Sequence, residues 1–187
     1  MTPSELISIL SVAEKLKCNT SHCHTTTGRH ESVAEHSWRI ALMAMLLKPE
    51  FPQADMDKVV RMCLIHDLGE AFTGDIPTFD KTAADTEKED ALFDRWVRTL
   101  PRETKQEFSA LLAEMNALET PEAKIYKALD KMEAVIQHNE SDISTWIPLE
   151  YDLQLRYGAE NVKFSPWFQS LKAEIDDWTR RKIAENQ

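Results

Sequence analysis

Met62-Cys63-Leu64-Ile65-His66-Asp67-Leu68-Gly69-Glu70 is an apolar stretch with an imidazole and a carboxylate set side by side near its end. Met56, Val59, Val60, Cys63, Leu64 and Leu68 recur at helical spacing, so a helix is predicted from near Asp55 to Glu70 or Ala71, with His66 and Asp67 inside it. Adjacent helical residues point about 100° apart, so both side chains can reach an ion seated beside the helix. Polar groups in a buried run cost free energy unless something satisfies them, and a metal ion is one such partner. The bland alternative is a pair of hydrogen-bonded core residues.

Working outward, the pattern stays helical. A first helix is predicted over 4–17, with Leu6, Ile9, Leu10, Ala13 and Leu16 on one face. Residues 18–29 lose all periodicity and read as a loop. Ser32 followed by Glu35 is a capping-box signature that opens a helix running to Leu47, before Pro49. Residues 73–78 are rich in turn formers. Further helices are predicted over 85–100 and 102–118, and one continuing to His138 with Thr120 as cap and Pro121 at its first position. A helix over 142–157, kinked near Pro148, and a last one from Ser165-Pro166 complete the set. Trp38, Trp146, Trp167 and Trp178 are expected to pack between helices, and Arg39 to reach an acidic partner.

Only 4 glycines and 8 prolines interrupt 187 residues, which favours helices over a many-stranded sheet. The expectation is an all-α bundle in a single domain, 1–187, with a motif core over 30–140 and the helices of 141–187 packed on it. A net charge of -10 argues against nucleic acid polymers as partners, which need a basic face. A small anionic substrate stays open, because a metal and a few basic residues can make a local positive pocket. No secretory signal pattern and no apolar run of membrane-spanning length is seen, so no membrane partner is expected. Three cysteines without a C-x-x-C pair suggest reduced thiols and a cytoplasmic protein.

Two further candidates for metal ligation sit on other predicted helices: His36, near the start of the second, and Asp130, mid-helix in Lys127-Ala128-Leu129-Asp130-Lys131-Met132. Two imidazoles and two carboxylates suit a borderline divalent ion with positions left open. This H…HD…D order resembles the HD-domain superfamily of metal-dependent phosphohydrolases. Glu31-Ser32-Val33-Ala34-Glu35-His36-Ser37 and the run from His66 through Gly74-Asp75-Ile76-Pro77-Thr78 resemble its 5′-deoxynucleotidase branch in particular.

The resemblance implies an HD-type helical bundle that removes phosphate from a small phosphomonoester such as a nucleoside 5′-monophosphate. It gives His36, His66, Asp67 and Asp130 the role of ligands to one divalent ion, which could be Mn, Co, Fe, Ni, Zn or Mg. It gives Glu70 an acid–base role and places Asp75 near the sugar or a water. Thr78 and Lys81 follow on the substrate side, with turn chemistry and solvation as their bland readings. Glu35 is read chiefly as the capping partner of Ser32. An Arg-Trp pair that grips phosphate and base in those relatives has no counterpart, since counting back from His36 reaches Ser21-His22. Arg29 and His30 are the substitutes expected to contact substrate, and His22 and His24 could face the pocket.

Three alternatives are weighed. A dinuclear HD site lacks its extra histidines, since none occurs between Asp67 and Asp130. A zinc cluster of Cys18, His22, Cys23 and His24 matches no usual spacing. A non-enzymatic HD module would not need all four ligands and Glu70. The charged helix over 85–100 is a solvated face or a homodimer contact.

Overall fold

The computed structural model describes residues 1–186. The elements in order are α1 (Pro3–Ala13), a 3-10 turn (Glu14–Lys17), β1 (Thr20–His24), β2 (His30–Ser32), α2 (Val33–Leu46), α3 (Met56–Ile65), α4 (Glu70–Thr73), α5 (Ala83–Val97), α6 (Arg102–Ala117), α7 (Pro121–Glu140), α8 (Glu150–Arg156) and α9 (Pro166–Glu185). The all-α reading holds, with one two-stranded ribbon added. None of the described helices is long and apolar enough to cross a membrane.

α7 is the central helix, packed against α2, α3, α6 and α9. Its buried face carries Ile125, Ala128, Leu129, Met132 and Val135, which meet Ile40 and Ala44 of α2 and Val59, Met62 and Cys63 of α3 in one hydrophobic cluster. Helix starts follow the caps read from sequence. The Thr120 hydroxyl accepts from the Ala123 amide, and the Ser165 hydroxyl from that of Phe168. Ser32 accepts from the Glu35 amide at 3.2 Å while Glu35 accepts from the Ser32 amide at 2.9 Å, a reciprocal capping box.

Four expectations need correction. Residues 18–29 are not an open loop: Thr20–His24 pairs antiparallel with His30–Ser32, and Gly28, at φ 84°, sits in the connecting turn. The strands are polar and short, and tertiary bonds hold them: Asn19 Nδ2 donates to the Glu70 carbonyl, and Gln137 Nε2 to that of His24.

The second correction concerns His66 and Asp67, which lie just past the end of α3 rather than inside a continuous helix. His66 Nδ1 donates to the Cys63 carbonyl, the acceptor an α-helix reserves for the Asp67 amide. The following amides turn to carbonyls three residues back, Leu68 to Ile65, and Glu70 to Asp67 and Ala71 to Leu68 in the first turn of α4. Gly69 stands where α5 comes close, since a Cβ there would meet Glu89 Cγ at 3.0 Å.

Third, the helix predicted over 142–157 is a 3-10 turn at Ile143–Thr145 followed by the seven-residue α8. Finally, Trp38 does not pack, being 62% exposed. Ser32→Ala should lower stability by about 1 kcal/mol through loss of the α2 cap. Urea unfolding with an unchanged m-value checks this.

Candidate functional site

A cavity of about 520 Å³ opens where the end of α3, the α4–α5 loop, α7 and α8 meet β1. α2 brings His36 to it, the break after α3 brings Asp67, and α7 brings Asp130. His66 sits directly behind, its ring 5.3 Å from that of His36. Potential ligand atoms of His36, His66 and Asp67 all lie within 4.8 Å of one another. Asp130 Oδ1 is 3.4 Å from His36 Nε2 but does not share that radius with all three. Its other oxygen is drawn away to Lys127 at 2.9 Å and Lys131 at 3.4 Å.

The histidine tautomers follow from their partners. A carbonyl only accepts, so His66 Nδ1 carries the proton it gives to Cys63, and the neutral ring has its lone pair on Nε2. That nitrogen is buried, lies 2.8 Å from Asp67 Oδ2 at an angle that makes no hydrogen bond, and has no other partner. On the first helix of the site, His36 Nδ1 donates to the fully buried Glu133, leaving Nε2 to face Asp130. Two such nitrogens beside two carboxylates, one nitrogen orphaned, are a donor set that fits a divalent transition ion.

The electrostatics show the strain of assembling these groups. Burial would push the His36 imidazolium down, but the carboxylates of Asp130 and Glu133 outweigh it and hold it well above its ordinary value. Burial also opposes ionised Asp67, and the His66 ring overcomes it. For Asp130 burial is overcome by Lys131 and Lys127, which hold it well below the usual range. Glu70 is different: burial, then repulsion from Asp67 and Asp75, pushes its carboxyl up to about 10. Its Oε2 is buried without a partner. Asp75 is raised by burial and by Asp67.

The substrate-side expectations divide. Thr78 and Lys81 line the cavity, because the loop after α4 folds inward. Thr78 is hydrogen-bonded to the Tyr157 hydroxyl at 3.0 Å, and Lys81 is paired with Glu89 at 2.8 Å. Arg29 and His30 are not brought to this cavity. They line a separate outer depression with His24 and Trp38, on the far side of the hairpin. Arg29 is tied there to Glu35, and His30 to the Ser21 carbonyl. His22 does reach the main cavity, beside Glu150 and the ring of Phe79. Cys18, His22, Cys23 and His24 form no ligand group among the described residues.

Sequence reasoning missed Glu133, Lys127, Lys131 and Tyr157. Three of these were within reach, because Lys127, Lys131 and Glu133 lie three before, one after and three after Asp130 on one helix. Arg39 meets its acidic partner, a bidentate pair with Glu140, and also approaches Glu133 at 3.5 Å. Burial, then Glu133, pushes Glu31 up to about 8.

A family model described as HD domain matches residues 13–172. The 5′-deoxynucleotidase HDDC2 of Xenopus laevis is 31% identical over 186 residues, covering 97% of this chain and 90% of the relative. The protein of the same name in Bos taurus is 30% identical over 184 residues, covering 96% and 88%. Among solved structures, a protein of Magnetospirillum magnetotacticum MS-1 described as a predicted metal-dependent phosphohydrolase is 29% identical, with a TM-score of 0.80 and coverage of 98% and 93%.

Glu133→Ala removes the acceptor from His36 and leaves the nearby Arg39 short of a counter-charge, so it should cost about 3 kcal/mol. Urea unfolding in the presence of a chelator measures this without any contribution from bound metal.

Proposed function

The chain belongs to the HD-domain family of phosphohydrolases, and from that we propose that it is a metal-dependent phosphomonoesterase acting on a nucleoside 5′-monophosphate. The observation that carries this reading is the meeting of His36, Asp67 and Asp130 at one wall of the cavity, with His66 directly behind them and its Nε2 left unpartnered. These four residues would hold one divalent ion. Their donor types suit Mn²⁺, Co²⁺, Fe²⁺, Ni²⁺ or Zn²⁺, and Mg²⁺ less readily. When bound, the ion supplies Lewis acidity, drawing charge off the phosphoryl group and lowering the pKa of water.

The rest of the chemistry belongs to the side chains. His66 is oriented by Cys63 and His36 by Glu133, so neither ring must turn to present Nε2 once that nitrogen is deprotonated. Glu70, its carboxyl pushed toward the neutral form, keeps one buried oxygen that no protein group engages and that can exchange a proton. Asp75 faces the same space from the loop and meets the sugar or the attacking water. The rings of His22, Phe79 and Tyr157 give the cavity apolar surface suited to a flat base. Its volume is that of an ordinary small-ligand site. Relatives named 5′-deoxynucleotidases, covered over most of their length, support the nucleotide class.

A panel of ribo- and deoxyribonucleoside monophosphates under several divalent metals tests the proposal. Phosphate release that requires added metal and stops with a chelator is expected. A protein carrying about one metal per chain that turns over none of the panel would sink it. His66→Ala and Asp67→Ala should each lose both metal and turnover. Glu70→Ala should keep the metal and slow turnover by about 10²- to 10⁴-fold. An unchanged rate would end its acid–base role.

A further inference from the structure

At neutral pH a phosphomonoester is close to a dianion, its second pKa being about 6. A divalent ion held by Asp67 and Asp130 is already balanced by those two carboxylates. Such a centre polarises an incoming phosphate but offers it no net positive charge. The other acids of the cavity supply no positive charge, and the whole chain carries a net charge of -10. Something beside the metal site must match the charge of the dianion.

The cations lining the cavity are Lys81, Lys127 and Lys131. Lys81 is held by Glu89. Lys127 and Lys131 are one helical turn apart on α7, so they stack on one face and flank Asp130. Their ammonium groups lie 2.9 and 3.4 Å from the Asp130 oxygen turned away from His36. Neither is wholly buried: their side chains keep 29% and 20% exposure, which is open toward a ligand.

Lys131 is also held in position. Its Nζ donates to the Tyr157 hydroxyl at 2.8 Å and lies 4.8 Å from the centre of that ring. Tyr157 in turn is tied to Thr78 across the cavity. Gly158, at φ 73°, lets the chain after α8 pass directly over α7, where a Cβ would come within 2.8 Å of Lys131 Cβ. A glycine turn, a tyrosine and a threonine thus converge to place one lysine beside the proposed metal ligands. Neutralising a carboxylate would require none of that.

We propose that Lys127 and Lys131 form the phosphate-holding subsite of this cavity, their ammonium groups binding the non-bridging oxygens of a phosphate monoester dianion. They take the place of the Arg-Trp pair that this chain lacks, from the opposite end of the sequence motif. The assignment rests on Asp67 and Asp130 being metal ligands. Lysine is suited to the task as a strong point charge with three donors.

The test is calorimetric titration of inorganic phosphate into metal-loaded protein, wild type and variants, with metal content measured in parallel. Lys127→Met and Lys131→Met keep the aliphatic stem and remove the charge. Each should weaken phosphate binding by about 10-fold, and the pair by about 100-fold, with metal content unchanged. KM for a phosphomonoester should rise in step. Lys131→Arg should restore most of the affinity. If the double variant binds phosphate as wild type does, the subsite is wrong. If it instead loses the metal while circular dichroism shows it folded, the lysines serve Asp130 alone and the proposal also falls. Should the double variant fail to fold, the single variants decide by the same criteria. A wild-type protein that binds phosphate through these lysines yet hydrolyses no nucleoside monophosphate would keep the subsite and remove the nucleotidase reading.

Discussion

Gathering Asp67, Glu70, Asp75 and Asp130 around one poorly solvated cavity sets like charges against each other, and most of the local architecture answers that repulsion. Two devices are at work. Asp67 and Asp130 stay ionised because cationic or protonatable partners lie against them: His66 for the first, Lys131 and Lys127 for the second. Glu70 has Lys81 nearby, itself engaged with Glu89, and Asp75 has Lys81 and His36, but burial and the neighbouring carboxylates outweigh them and both carboxyls rise toward the neutral form. One set of acids is therefore held toward the charged form and another pushed toward the neutral form within a single space. Such a split is what separates ligands from proton carriers at a site.

α7 bears most of this burden. One face supplies core to four neighbouring helices, while Lys127, Asp130 and Lys131 line the cavity and Glu133 meets α2. Glu133 is fully buried, and it is tolerable there because His36 and Arg39 approach it from α2. The same α2 residues then continue outward, Arg39 to Glu140 and Gln137. Gln137 closes the circuit by bonding the hairpin at His24. A small ribbon with little apolar content of its own is thereby fixed as one wall of the cavity.

Family membership and local departure coexist without conflict. α2, the break after α3 and α7 bring His36, His66, Asp67 and Asp130 near one another, and the likeness to a solved relative extends over nearly the whole chain. The departure lies in the stretch before His36, where the hairpin turns Arg29 and His30 outward and leaves His22 inside. Arg29 is spent on the α2 cap through Glu35. The cations that face the cavity come instead from α7 and from the loop before α5.

Much of this was legible in the residues alone. Caps at Ser32, Thr120 and Ser165 and the apolar periodicities located most helices, since both are local effects that a few neighbouring residues decide. The HD pair announced itself as polar groups in an apolar run. What the residues could not disclose is whatever depends on contacts distant in sequence. The hairpin's polar strands show no alternation to read, and bonds to Glu70 and Gln137 decide their pairing. The helix break at His66 arises from one side chain taking a carbonyl from the backbone, which periodicity does not register. Sequence thus determined the helices and the kinds of chemical group present. Tertiary structure decided which of them share a cavity, which way Arg29 points, and which carboxyls are pushed toward the neutral form, because burial and the charge of distant neighbours set all three.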